Sequence, residues 1–371
     1  MLAVIFLGVI MRKLKKSAVA LALLFIYIFS LTPLSVSAEY IETAGKAQDV
    51  QISSRIYELI FGKETKRRDG ELRLIPGGDA FGIKITEDHP TVARVDGESE
   101  LLVGDKLLAV NGKSIKSAQD IHNALAVYSG GKLVFTVQRN GEKMTLSVTP
   151  CVIDGEARLN VALKQASSGI GTITFIEPES RIFGGLGHAV CDSTGKVLEL
   201  CDGLATSVIL TGVKRGESGK PGELCGVLGR GHLGRISINS ECGVFGVLDC
   251  RPLSKESAIP VGMRDSVRLG EAEIISTLKN GKKANYTIEI TDIDYSSTTS
   301  KSFKIRVTDD ALLAISGGIV RGMSGSPIIQ DGKLIGAVTH VMVADPTEGY
   351  GIFIENMLNA SVSTRNELPA A

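Results

Sequence analysis

Tryptophan is absent from this 371-residue chain, and all aromatic residues together make up only 5% of it. Neither sign of charge is in excess, with 41 basic residues against 41 acidic ones. No basic stripe interleaved with aromatics occurs, so the sequence carries no footprint for nucleic acid. The six cysteines include no C-x-x-C pair, which removes the ligand spacing of a zinc ribbon. No metal and no organic cofactor is implied. What the chain has instead is glycine, 42 residues of it. Abundant glycine with scarce aromatics fits many short strands and tight turns better than long helices. The length exceeds one ordinary core, so two domains behind an N-terminal segment are expected.

Residues 1–38 read as a signal peptide or membrane anchor. Arg12-Lys13-Leu14-Lys15-Lys16 is a basic cluster, and the 22 residues from Ser17 to Ala38 are apolar and free of charge. Such a run is long enough to span a bilayer as a helix. Its positive flank stays cytoplasmic, which puts everything after Glu39 outside. Val36-Ser37-Ala38 has the small residues of a signal-peptidase site, so cleaved signal and retained anchor both stay open. Met11 is an alternative start. Residues 39–71, with the charged run from Lys63 to Asp69, read as a linker with one short helix around Ser53 to Phe61. A tether of this kind is the part most open to proteolysis.

The next unit spans 72–150. Gly77-Gly78-Asp79-Ala80-Phe81-Gly82-Ile83 is a glycine-rich loop entering an alternating strand. Val103 to Lys113 is a strand closed by an Asn-Gly turn. Ser117 can cap a helix to Tyr128 whose apolar face holds Ala118, Ile121, Leu125 and Val127. A hairpin turns at Arg139-Asn140-Gly141-Glu142. This order resembles a compact PDZ domain, and G-D-K-L-L-A-V-N-G-K carries the resemblance. PDZ domains bind a C-terminus or internal peptide as an added strand. The resemblance puts Phe81, Gly82 and Ile83 at the peptide-binding loop and strand, with His122 as a residue that could face the groove.

From 151 to 371 the chain reads as about ten strands separated by glycine turns, among them Gly171–Ile176, Val197–Leu200, Ala205–Leu210, Ala284–Ile293 and Lys333–Val343. Helical periodicity is expected only at Ile354–Ala360. An all-β domain of two six-stranded barrels suits this pattern. Cys151, Cys191, Cys201, Cys225, Cys242 and Cys250 all fall here, and an exported location permits disulfides. For Cys191 a disulfide or a small buried position is expected rather than a nucleophile. The sequence Gly322-Met323-Ser324-Gly325-Ser326-Pro327 is the glycine-flanked serine of a strand-rich serine protease. Its N–H groups at Gly322 and Ser324 would form an oxyanion hole. Ser326, before proline, would point away. Gly184 to Asp192 supplies His188 in a second glycine-rich turn, with His232 as a rival base and His340 on a strand near the site.

Taken together, G-G-L-G-H-A-V-C-D at 184–192, V-T-D at 307–309 and the run from Gly317 to Val341 resemble the stage IV sporulation protein B peptidases. The resemblance extends to D-P-T-E-G-Y-G-I-F-I-E at 345–355 and covers essentially the whole chain. It implies an N-terminal membrane-targeting segment, a PDZ domain and a trypsin-like double β-barrel. It also implies the set Ser324 as nucleophile, His188 as base and Asp309 as the orienting acid, with Asp310, Asp192 and Asp249 as alternatives. The implied role is a sporulation signalling endopeptidase between the forespore and mother-cell membranes. It would process itself and cleave a membrane-bound regulatory protein to activate a mother-cell sigma factor. Two other readings stand beside it, an inactive PDZ scaffold and a general extracytoplasmic quality-control protease. The PDZ-first order speaks against the latter.

Overall fold

The computed structural model describes residues 72–192, 195–249, 257–278 and 281–361. The expected membrane segment, the linker with its short helix, and Cys250 lie outside these residues. Among the described residues no helix is long and apolar enough to cross a membrane.

The chain is mainly β, and its pairings form two rings. In the first, Ala80–Val95 pairs with Val161–Ile176 on one side and Asp202–Lys214 on the other. The ring continues through Glu223–Ser240, Gly243–Leu248 and Ile182–Gly185, which returns to Val161–Ile176. Alternation in Ala80–Val95 sends Phe81, Ile83 and Ile85 inward, where they pack with Ile173, Phe183 and Ile236. Phe81 meets Phe183 edge-on at 5.8 Å, a favourable aromatic geometry. The second ring is a closed barrel of Gly270–Thr277, Lys283–Ile293, Phe303–Val307, Glu348–Phe353, Lys333–Val341 and Pro327–Gln330. Ile274, Ile288, Ile305, Ile328, Val338 and Phe353 fill it.

A small α+β unit grows from the first ring. Its strands are Lys106–Val110, Leu133–Arg139 and Glu142–Val148, and its helix is α1, Ala118–Ala126. The Asp120 carboxylate accepts from Ser117 N at 2.8 Å and fixes the start of α1. Asp105 in the G-D-K-L-L motif is fully buried and takes a bidentate pair from Arg139 at 2.7 Å each. Burial of that carboxylate is tolerable because both oxygens are satisfied.

Three expectations need correction here. The boundary at 72–150 does not hold, because Arg73–Pro76 and the first half of Ala80–Val95 belong with the first ring. The two 16-residue strands Ala80–Val95 and Val161–Ile176 serve both bodies. Their register shifts between Thr86 and Thr91, where Glu87-Asp88-His89-Pro90 supplies a proline that cannot donate to the ladder. Phe81, Gly82 and Ile83 are consequently not a free peptide-binding edge. Gly171, Ile170 and Gly169 pair with them on one side, Thr206 and Ala205 on the other. Val197–Leu200 makes only a bridge to Cys191, because Asn239 Nδ2 takes the carbonyl of Leu198 at 2.9 Å.

Candidate active site

Helix α2, Asp310–Ser316, ends at Gly317 in the left-handed conformation, and the chain then turns through Gly318 to Ser326 into the second barrel. Two fully buried threonines of the first ring hold that turn. Thr172 donates N–H to Ser324 O at 2.9 Å and Oγ1 to Gly322 O at 2.9 Å. Thr174 Oγ1 donates to Gly325 O at 2.8 Å. Gly325, at φ +94°, is required twice over, since a Cβ there would lie 2.0 Å from Thr172 O. Among the described residues, the N–H groups of Gly322 and Ser324 donate to no backbone acceptor.

Ser324 is partly exposed, and its Oγ donates to Thr339 O at 2.8 Å. Ser326 is fully buried, with its Oγ on Ser276 Oγ at 3.1 Å. Of the two serines, only Ser324 has exposed surface.

His188 follows strand Ile182–Gly185 through two consecutive left-handed residues, Leu186 at φ +69° and Gly187 at φ +70°. A leucine in that region is strained, as residues that aim functional groups often are. A Cβ on Gly187 would lie 2.8 Å from Thr339 Cγ2, so this turn abuts the strand behind Ser324. His188 Nδ1 donates to its neighbour's carbonyl, Ala189 O, at 2.8 Å. That tautomer leaves Nε2 bare and able to accept a proton. Burial lowers the His188 pKa, and the bond to Ala189 opposes this only in part. Asn239 ties the following turn, donating Nδ2 to Val190 O at 2.8 Å and accepting from Val190 N at 2.8 Å. The His340 ring lies 4.9 Å from that of His188. Thus Ser324, Thr339, His340 and His188 share one junction between the two rings. No hydrogen bond joins Ser324 to His188 among the described residues.

Asp309 does not join them. It is the N-cap of α2, with Oδ1 accepting from Leu312 N at 2.8 Å and Oδ2 from Thr287 N at 3.3 Å. Both oxygens serve the backbone, so the orienting role expected of Asp309 has no contact to support it. The signal was in the sequence: an aspartate before Leu312-Leu313-Ala314 and a closing Gly317 reads as a capped helix. The rival His232 pairs through Nδ1 with Asp249 at 2.6 Å on the surface of the first ring. Thr172, Thr174 and Asn239 had no local signal, since each acts across long sequence separations.

The five described cysteines, Cys151, Cys191, Cys201, Cys225 and Cys242, are free thiols. Cys191 is exposed rather than buried or bridged, because it lies on the outer turn after His188. Partial burial with Glu241 and Asp192 nearby raises its pKa, which disfavours a thiolate. In the small unit, His122 lines a groove of about 650 Å³ between α1 and residues Gly155 to Leu163.

Residues 155–358, over half of the chain, match the family described as SpoIVB peptidase S55. A Bartonella henselae protein named as a zinc metalloprotease is 24% identical over 85 residues, 23% of this chain and 22% of that one. Among solved structures, the HtrA-type protease AlgW with a tripeptide overlaps 52% of this chain and 55% of its own at 14% identity and TM-score 0.32. An inactive form of Rv3671c from M. tuberculosis H37Rv overlaps 54% of this chain and 84% of its own at 13% identity and TM-score 0.29. The chain thus spans about a fifth of the first relative and about half of AlgW. Scores this low describe partial overlap and nothing finer.

Proposed function

Because the chain belongs to the SpoIVB peptidase S55 family, and so is a serine peptidase, we propose that Ser324 is its nucleophile and His188 its general base. The observation that carries this reading is the junction between the rings. An accessible serine there has two uncommitted N–H groups beside it, and a histidine with a bare Nε2 lies across the same strand end. Ser324 Oγ–H now points at Thr339 O, so catalysis begins with its rotation toward His188 Nε2. The bond given up is worth about 0.5–1.5 kcal/mol, a small barrier to activation. Nε2 then takes the proton as Oγ attacks the scissile carbonyl. The N–H groups of Gly322 and Ser324 receive the oxyanion, and His188 returns the proton to the leaving amine. Water, deprotonated by the same imidazole, releases the acyl group.

The substrate class and setting follow the family resemblance and the N-terminal segment. The peptidase domain lies outside the cytoplasm, between the forespore and mother-cell membranes. There it processes itself and cleaves a membrane-bound regulatory protein during sporulation. The small α+β unit, PDZ-like in its motif order, serves partner recognition. Intact mass of purified full-length protein tests the chemistry. Fragments from wild type and Ser326→Ala but none from Ser324→Ala are expected, and fragments from Ser324→Ala would overturn the assignment. Normal sporulation in a strain carrying only a stable Ser324→Ala protein would sink the biological role.

A further inference from the structure

The proposed oxyanion donor at Gly322 belongs to a peptide that the nucleophile loop does not aim by itself. Gly322 has φ +99°, and a glycine tolerates conformations that would let the peptide before it face either way. A trans peptide is planar, so Arg321 C=O and Gly322 N–H point in opposite directions. Whatever holds that carbonyl therefore aims that N–H. Leu224 holds it, at the start of the first-ring strand Glu223–Ser240, by donating its N–H to Arg321 O at 2.8 Å. Arg321 N–H donates in turn to Gly222 O at 2.9 Å, which makes a parallel bridge between Glu223 and Arg321. The Leu224 side chain is 6% exposed and lies against Gly322, where a Cβ would meet its Cβ, Cγ and Cδ1 at 3.0 Å. The hairpin tip that leads into Leu224 is itself anchored. Gly216 N donates to Ser316 O and Gly219 N to Val343 O, each at 2.8 Å. Ser218 Oγ donates to Ala344 O and Arg215 Nη1 to Ala314 O, each at 2.7 Å. The tip thus holds the chain both before and after Ser324.

We propose that Leu224 is a positioning residue for the reaction. Its N–H pins Arg321 O on the hairpin side, which turns the Gly322 N–H the other way, toward Ser324. Its side chain fills the space the peptide would need to turn over. This inference rests on the assignment of Ser324 as nucleophile and of Gly322 as oxyanion donor above. Thr172 holds Gly322 O, so both peptides of Gly322 are tied to the first ring. A donor already aimed at the developing charge costs no reorganisation during the reaction, and here the other ring supplies the aim.

The test uses full-length protein, an internally quenched peptide built on the mapped self-cleavage site, and a peptide aldehyde of the same acyl-side sequence. The aldehyde's tetrahedral adduct with a serine places an oxygen where the oxyanion forms. Leu224→Ala opens the space beside Gly322, and Leu224→Met refills it. An ester in place of the 223–224 amide, made with the α-hydroxy analogue of leucine, keeps the side chain and deletes only the N–H. In folded Leu224→Ala and in the ester protein, kcat falls about 10- to 100-fold with KM within about twofold. Aldehyde inhibition weakens by the same factor, because the lost contact exists only in the tetrahedral state. Leu224→Met recovers most of kcat. Wild-type kcat in the ester protein would overturn the proposal, as would a raised KM with unchanged aldehyde inhibition, which would make this strand a substrate wall. Failure of both Leu224→Ala and the ester protein to fold by circular dichroism would also overturn it, because Leu224 would then be structural. Cleavage that persists in Ser324→Ala would instead overturn the nucleophile assignment.

Discussion

Thr172 grips the nucleophile loop at two points, donating its N–H to Ser324 O and its Oγ1 to Gly322 O, each at 2.9 Å. The first ring therefore fixes the carbonyls next to both proposed oxyanion donors, although the serine belongs to the second barrel. Thr172→Val keeps shape and backbone bond but strips the hydroxyl from a buried carbonyl. The expected cost is about 1–3 kcal/mol of stability. Turnover is expected to fall about tenfold, because a donor aimed slightly off the oxyanion loses part of its value. Thermal melting and kcat on the same preparation check this, and unchanged kcat would mean the clamp does not orient the loop.

Gly325 is the tightest point of that contact. A methyl group there would meet Thr172 O at 2.0 Å and Leu186 N at 2.4 Å, in a backbone conformation that side chains avoid. Both obstacles are backbone, so nothing flexible can yield. Gly325→Ala should cost at least about 2 kcal/mol and abolish cleavage. Gly332→Ala is the control, since its positive φ is similar but no atom lies near. It should lose stability by only about 1 kcal/mol and keep activity.

Asp309 separates two accounts of the site. As an N-cap, Asp309→Ala costs about 0.5–2 kcal/mol, while Asp309→Asn preserves the cap and leaves kcat within a few-fold. An acid orienting His188 would instead make Asp309→Asn lose about 10⁴ in kcat through the wrong tautomer. Steady-state kinetics of the asparagine variant decide between them.

How much was legible in the sequence tracks the range of the forces involved. Alternation in Phe81-Gly82-Ile83, the Ser117–Asp120 start of α1 and the Gly322–Gly325 turn are local, and each marks its element. Two barrels were expected from strand count and glycine spacing, both within 151–371, whereas the first ring takes Ala80–Val95 from the preceding unit. The long strands Ala80–Val95 and Val161–Ile176 each run through two bodies, and no local pattern announces that change of partner. A domain boundary drawn by motif resemblance consequently cut across a continuous sheet, and Phe81 was assigned to a ligand rather than to Phe183. Asp309 shows the opposite balance, expected as the orienting acid and found with the contacts of a helix cap. Its family resemblance outweighed a capping signal that was present in the next eight residues. Thr172 and Asn239 were beyond reach, because their partners lie 150 and 49 residues away.

The two imidazoles at the junction also fix the pH response. Burial lowers the pKa of His188 from 6.5 and that of His340 to about 4. Activity needs neutral His188, so the acid limb of kcat/KM should lie below pH 6.5, the usual histidine value. For stability, each group binds a proton more readily when unfolded than when folded. The unfolded state then gains protons first as pH falls, so stability drops below pH 6.5 and keeps dropping toward about pH 4. His340→Phe removes the larger of these contributions, and its melting temperature should fall less steeply than that of wild type across that interval. Parallel melting curves for the two proteins would mean that His340 is already solvated or charged in the folded state, and the lowered pKa would then have no basis.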